Sequence, residues 1–337
     1  MSLSQPLRSF PSLKDFYELL ESYGCYTLED ALDRISIFKN KTELSKILNV
    51  ISNAPKPWKK SITNNYTSPN TLKTFNSSLD NALGGGFPLG CVIEVFGPGG
   101  VGKTQFAKQL CCTVQLPSRV GGLEGKALYL DTECSFYPKR FDEIASGAMK
   151  VLIKQNIPTF SMSDNVYIRK IRSSQELIDT LESLTSSDEF FQDTRLLVVD
   201  SVTFHFRFQE KMECSLSNTC QVFKVLSLLN RFALKRKSVV LLTNQMTTQI
   251  IEGSYSVDTA ALGENWSHSC AAKVHLDFHP KRRKIRSLQM VKCMYKDMKD
   301  MKTVHYCITQ DGIRDASSKF IDKLYQMDPD DDCNFSY

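Results

Sequence analysis

A chain of 337 residues, 42% apolar and 23% charged, can bury one large core and carry a smaller module beside it. No run approaches about 18 uninterrupted apolar residues, and residues 1–20 hold no compact apolar stretch followed by a small-residue cleavage site, so a soluble intracellular protein with no membrane partner is expected. A net charge of +5 is too mild to name a nucleic-acid partner alone, and the 11 cysteines lack Cys-x-x-Cys pairs or matching His spacing, which argues for reduced thiols against a zinc site or a disulfide scaffold.

Residues 1–52 read as a small all-α domain. Leu13, Phe16, Leu19 and Leu20 share one helical face, followed by Leu28, Leu32 and Ile35, then Leu44, Ile47 and Leu48. Tyr23-Gly24 marks a turn, and Thr27-Leu-Glu-Asp30 resembles a capping signal for the second helix. Residues 53–71 read as a linker, with Pro55, Pro57 and Pro69 among Ser, Thr, Asn and Lys; Trp58 is its large apolar side chain, suited to dock on this protein or a partner.

From residue 72 to 322 strands and helices alternate. Strands are predicted over residues 92–96, 127–131, 166–170, 196–200, 239–243, 272–278, 288–292 and 304–308. Helical segments separate the earlier strands, which calls for an α/β core with a largely parallel central sheet; the last three come close together, as C-terminal antiparallel hairpins. Residues 323–337 form an acidic tail with Asp328, Asp330, Asp331 and Asp332.

Within this core, residues 97–104 read GPGGVGKT between an apolar strand and an amphipathic helix. The glycines Gly97, Gly99, Gly100 and Gly102, interleaved with Pro98 and Val101, let backbone N–H groups turn inward around phosphates; Lys103 can reach the β/γ-phosphates and Thr104 can ligate Mg²⁺. A bound nucleoside triphosphate is predicted. Glu133, at the end of Tyr129-Leu-Asp-Thr-Glu133, can orient or deprotonate a water, although Asp131 and Glu133 can equally cap the following helix. Asp200 ends the apolar strand Arg195-Leu-Leu-Val-Val-Asp-Ser201 and is suited to hold the metal through its water shell. Thr243-Asn-Gln245 can sense a γ-phosphate by hydrogen bond or simply form a turn.

Residues 281–302 hold nine Lys/Arg against two Asp. Within them Pro280-Lys-Arg-Arg-Lys-Ile-Arg286 fits a nuclear-import signal, a phosphate-binding patch or a solvated hairpin turn. The histidines have no ligand spacing, and His275 is expected to pack on the sheet.

Taken in order, Leu83-Gly-Gly-Gly86, GPGGVGKTQ, Gly121-Gly-Leu-Glu-Gly125, YLDTECSF from Tyr129, LLVVDSVTFHFR from Leu196, LLTNQMTT from Leu241 and ALGENWSH from Ala261 make the chain resemble the RecA-like strand-exchange proteins, and within them the eukaryotic recombinase paralogues of the C type. The resemblance implies ATP and Mg²⁺ as cofactors. Residues 97–105, Gln105 included, would bind nucleotide with Arg140 against the adenine; Glu133 would be the catalytic glutamate, Asp200 the metal's carboxylate partner and Gln245 the γ-phosphate sensor. DNA would run along two mobile loops, about residues 207–216 and 246–263. This makes Arg207, Lys211, Thr247, Thr248 and Gln249 candidate contacts, joined by Lys281, Arg282 and Arg283 of the basic run.

The N-terminal bundle and linker fit that family's small domain and subunit-docking segment. Three departures stand out: Cys134 occupies the place of a glycine after the glutamate, a proline-containing cap is not evident in Lys292-Cys-Met-Tyr-Lys296, and no Phe-x-x-Ala docking motif lies in the linker. The expected function is a nuclear ATP-binding DNA-repair protein that joins a hetero-oligomer of paralogues, binds single-stranded or branched DNA and helps the main recombinase load, with slow ATP hydrolysis. The alternative is a self-polymerising, DNA-dependent ATPase that exchanges strands. A small-molecule kinase is disfavoured, because nothing after Thr248 resembles an acceptor-binding lid.

Overall fold

The computed structural model describes residues 8, 14, 16–22, 26, 30, 70–186, 191–209, 215–251, 255–280, 282–295 and 303–316. The chain divides into two compact units, Met1–Thr67 and Ser68–Tyr337. In the first, helix α1 (Tyr17–Ser22) buries Leu20 and pairs Glu21 with Arg8 at 2.9 Å on the surface. The Tyr26 N–H donates to the Asp30 carboxylate at 3.0 Å, which uses the expected capping acid. The segments around Leu32 and Leu44, Trp58 with most of the linker, and the acidic tail lie outside the described residues.

The second unit opens with a two-stranded ribbon, β1 (Thr71–Leu72) on β2 (Phe87–Pro88), flanking α2 (Ser77–Ala82). Its centre is a nine-stranded sheet in the order β13-β12-β11-β10-β3-β7-β6-β4-β5. Six strands are parallel: β3 (Val92–Phe96), β4 (Lys126–Asp131), β5 (Val166–Lys170), β6 (Thr194–Asp200), β7 (Val239–Asn244) and β10 (Ala272–His279). An antiparallel meander of β11 (Arg282–Cys293), β12 (Val304–Thr309) and β13 (Gly312–Asp315) completes it.

Apolar runs such as Val92-Ile-Glu-Val-Phe96 suit strands covered on both faces, and alternate residues divide between two cores. Ile93, Val95, Tyr129, Val198 and Leu241 pack with Phe106 and Leu110 of α3 (Lys103–Thr113) and Ile144 and Leu152 of α4 (Pro138–Lys154). Val92, Leu128, Leu130, Val199 and Leu242 face the other way. They meet Leu177 and Leu181 of α5 (Ser174–Ser186), Phe206 of α6 (Phe204–Gln209), Leu229 and Phe232 of α7 (Ser215–Arg236) and Trp266 of α8 (Gly263–Ser269).

Three places differ from the sequence reading. The strand from Ala272, expected in a hairpin only, also lies parallel to β3, with Lys273 opposite Glu94. Strand β11 starts at Arg282, six residues before the expected 288, so the basic run forms the strand rather than its turn, and His279 pairs directly with Arg282. Its cationic residues mask the pattern, yet Ile285 between them is buried and the Arg286 guanidinium lies over the Phe278 ring at 5.7 Å. Residues 246–260, expected as loop, form an antiparallel ribbon separate from the main sheet, β8 (Met246–Ile251) with β9 (Tyr255–Ala260).

Among the described residues no helix is long and apolar enough to cross a membrane, and the described cysteines are free thiols. Cys111 and Cys112 lie wholly inside α3's packed face, where burial pushes both thiols well up.

Candidate functional site

Register brings the chemistry to one edge. Phe96 pairs with Asn244 and Asp131 with Asp200, so β3, β7, β6 and β4 end side by side where ligands bind in open parallel sheets. From Phe96 the chain passes through the glycine loop into α3. A Cβ on Gly97 would meet the Leu276 carbonyl oxygen at 2.2 Å, and Gly102 adopts φ 108° with Ile308 in the place of a side chain. Gly102 also starts α3 without a side-chain cap, which leaves the helix's first N–H groups directed into the loop.

The Lys103 ammonium donates to the carbonyls of Gly97 at 2.8 Å and Pro98 at 3.0 Å. Burial lowers its pKa, while the charges of Asp200 and Glu133 oppose that shift. Asp200 is the hub of the site. Its Oδ2 accepts from the hydroxyls of Thr104 (2.8 Å), Ser135 (3.3 Å) and Tyr129, and its Oδ1 accepts from Thr243. Tyr129 stays a donor because burial, reinforced by Asp200, raises its pKa well above that of a free phenol.

Glu133 Oε1 accepts from the Ser201 hydroxyl at 2.5 Å and the Gln245 amide at 2.7 Å. Asp131 is bound differently: its oxygens accept the N–H groups of Ser135 (3.0 Å) and Phe136 (3.1 Å), so it closes the turn that carries Glu133. Neither acid caps the following helix, which starts after Tyr137 without a side-chain cap: Asp131 holds the turn before it, and Glu133 faces Gln245. Arg140, with Gln105, braces the rim: its guanidinium donates to Gln105 Oε1 at 2.7 Å, Glu143 at 2.7 Å, and the carbonyls of Thr309 at 2.7 Å and Gln310 at 2.8 Å. Beside the loop, His275 stacks on Phe96 at 4.9 Å, a packed histidine as expected.

This donor set fits a triphosphate with a hard divalent cation. The uncapped helix and Lys103 supply positive ends for phosphate oxygens, and Thr104 with Asp200 supplies the oxygen ligation that Mg²⁺ takes alongside phosphate and water. Sequence reasoning missed Tyr129, Ser135, Ser201 and Thr243 as partners of the two carboxylates. Only Ser201, adjacent to Asp200, carried a local signal.

Residues 69–316 match the Rad51 family. The chain belongs to that family. It is 33% identical over 226 residues to DNA repair protein RAD51 homolog 3 of Dictyostelium discoideum, covering 64% of this chain and 59% of that protein. Against the protein of the same name from Cricetulus griseus it is 32% identical over 262 residues, covering 72% and 68%. Against the meiotic recombination protein DMC1 of Saccharomyces cerevisiae it is 33% identical over 258 residues, covering 73% and 72%. The match thus spans less than two thirds of the Dictyostelium protein. The RecA-like α/β fold follows from family and topology together.

In this Rad51-family chain the position after Glu133 explains its usual glycine. Cys134 is exposed and sits at φ 55°, the left-handed region where a Cβ is strained. Cys134→Gly is expected to raise stability by about 0.5 kcal/mol, the relief of strain outweighing glycine's extra entropy in the unfolded chain; a urea midpoint that falls would contradict it. The residues expected against DNA take no part in the hydrogen bonds described for the two carboxylates. Thr247, Thr248 and Gln249 sit on β8, Arg207 in α6, and Arg282 and Arg283 at the start of β11, while Lys211 and Lys281 lie outside the described residues.

Proposed function

We propose that this chain is an ATP-binding DNA-repair protein of homologous recombination, a nuclear recombinase paralogue that hydrolyses ATP slowly. It binds single-stranded or branched DNA and assists assembly of the main recombinase within a hetero-oligomer of paralogues. The domain division that goes with this reading is a helical module over residues 1–52, a docking linker over 53–71, an ATPase core over 72–322 and an acidic tail.

The observation that carries the reading is the connected set Thr104–Asp200 and Ser201–Glu133–Gln245, because Gln245 immediately precedes the β8–β9 ribbon. MgATP, when bound, supplies a γ-phosphoryl group for transfer to water. Lys103 exchanges its two loop carbonyls for phosphate oxygens, Thr104 and Asp200 hold the cation's side of the site, and Arg140 lies against the adenine. Glu133 orients the attacking water and takes its proton at Oε2, the oxygen opposite the one engaged by Ser201 and Gln245.

Gln245 is the sensor. When its amide leaves Glu133 for a new acceptor, the movement reaches the ribbon, whose base is closed by the Ala261 N–H donating to the Gln245 carbonyl at 3.0 Å. Thr247, Thr248 and Gln249 then meet DNA from β8, joined by Arg207 and Lys211 of the segment 207–216 and by Lys281, Arg282 and Arg283 of the basic run.

ATP turnover with and without single-stranded DNA, measured beside sedimentation in the same buffer, tests this reading. The expected result is ATP binding with turnover well below about 1 s⁻¹ and a small particle of fixed size. DNA-stimulated turnover in growing polymers would replace it with the strand-exchange alternative.

A further inference from the structure

Lys108 lies one helical turn beyond Thr104, on the face of α3 turned toward the ends of β4 and β6. It is only 2% exposed, which is unusual for an ammonium without a direct ion pair. Its Nζ donates to the Ser135 carbonyl at 3.3 Å and sits 5.0 Å from the centre of the Phe136 ring. Ser135 and Phe136 are the residues whose N–H groups Asp131 accepts, and the Ser135 hydroxyl donates to Asp200. Lys108 therefore grips the outgoing side of the turn that carries Glu133 from beneath, while Asp131 and Asp200 grip it from the sheet.

The charges around it are few. Burial lowers the Lys108 pKa, and Asp200 is the largest influence restoring it; Arg140 lowers it further, whereas Asp131 and Cys111 raise it. Counted across the site, Lys103, Lys108 and Arg140 face Asp131, Glu133, Asp200 and Glu143, the last paired with Arg140 at 2.7 Å, so one net negative charge remains. The sequence reading assigned Lys108 no role, and the nucleotide mechanism above uses none.

We propose that Lys108 is a positioning residue that sets how strongly Mg²⁺ is required for nucleotide binding, by fixing the Glu133 turn and offsetting the charge of Asp200 from below. The proposal rests on the reading of this site as a triphosphate site. With Lys108 in place the site carries one net negative charge, which disfavours metal-free ATP, with four negative charges, more than MgATP, with two. Without it the site is one charge more negative, and metal-free ATP is repelled more than MgATP. The ratio of the two affinities therefore grows.

The test is binding of a fluorescent ATP analogue to the full chain, in Mg²⁺ and in EDTA. In Lys108→Met, the factor by which Mg²⁺ tightens binding is expected to grow by about tenfold, while Lys108→Arg keeps the wild-type factor. Loss of packing alone weakens binding equally in both buffers and leaves the factor unchanged, an outcome that overturns the proposal. Lys108→Gln removes the same charge and serves if the Met variant fails to fold by circular dichroism. If the wild-type chain binds the analogue in neither buffer, the triphosphate reading itself falls; a wild type that binds and a Met variant with an unchanged factor refute the role of Lys108 alone.

Discussion

Lys103→Ala lowers affinity for ATP by at least about a hundredfold, with little change in thermal stability. The loss follows from what the ammonium does in the site. It is held at the mouth of the loop by the Gly97 and Pro98 carbonyls, and burial has already removed part of its water. Meeting phosphate oxygens, it makes charge-assisted hydrogen bonds worth about 1.5–3 kcal/mol each, and two of them account for a hundredfold or more. Stability is spared because the folded chain loses only two bonds to loop carbonyls and sheds a partly buried charge. Calorimetric titration with MgATP and a thermal melt check both halves; unchanged affinity would remove the phosphate-loop assignment. Lys103→Arg does not rescue, since the planar guanidinium cannot replace a compact ammonium seated against the loop.

What the sequence made legible is what apolar runs and short motifs encode. The strand spans 92–96 and 166–170 come out with their ends intact, because buried β-branched runs or turn residues bound them. The ribbon of β8 and β9 was hidden, since Thr247, Thr248 and Gln249 oppose Thr259, Asp258 and Val257 outside the main sheet and carry no apolar alternation. The start of β11 was hidden by charge.

In the site, the loop and Asp200 are visible because their chemistry is local. Tyr129 and Thr243 become partners of Asp200 only through strand order, β4 and β7 flanking β6, which no spacing within either segment reports. Lys108 was hidden for a similar reason: a lysine in an amphipathic helix is expected in water, and only the packing of the Glu133 turn over α3 buries it.

Lys273→Met is expected to destabilise the core unit by about 3–5 kcal/mol, a fall in Tm of roughly 10 °C. Glu94, in the middle of β3, is fully buried, and its partners are few. Lys273, its register partner on β10, approaches Oε2 at 3.1 Å with its own side chain almost covered, and the Asn244 amide donates to Oε1. Removing the lysine leaves a carboxylate in the centre of a parallel sheet with one amide to hold it, and desolvation is no longer offset. The methionine fills similar volume, so lost packing contributes little.

The double variant Glu94→Gln with Lys273→Met separates charge from shape. It removes both charges, keeps an acceptor for Asn244, and is expected to recover most of the loss. Additive single and double effects would mean the pair is not coupled. The consequence reaches the site, because Asn244 also donates to the Ala261 carbonyl at 2.9 Å, at the foot of β9, one residue before Gln245 enters the ribbon. An orphaned Glu94 competes for that amide and loosens the ribbon's base. In the single variant, hydrogen exchange is therefore expected to quicken at Ala261 more than at Leu128 or Val198, deep in the neighbouring strands, and the double variant is expected to restore it.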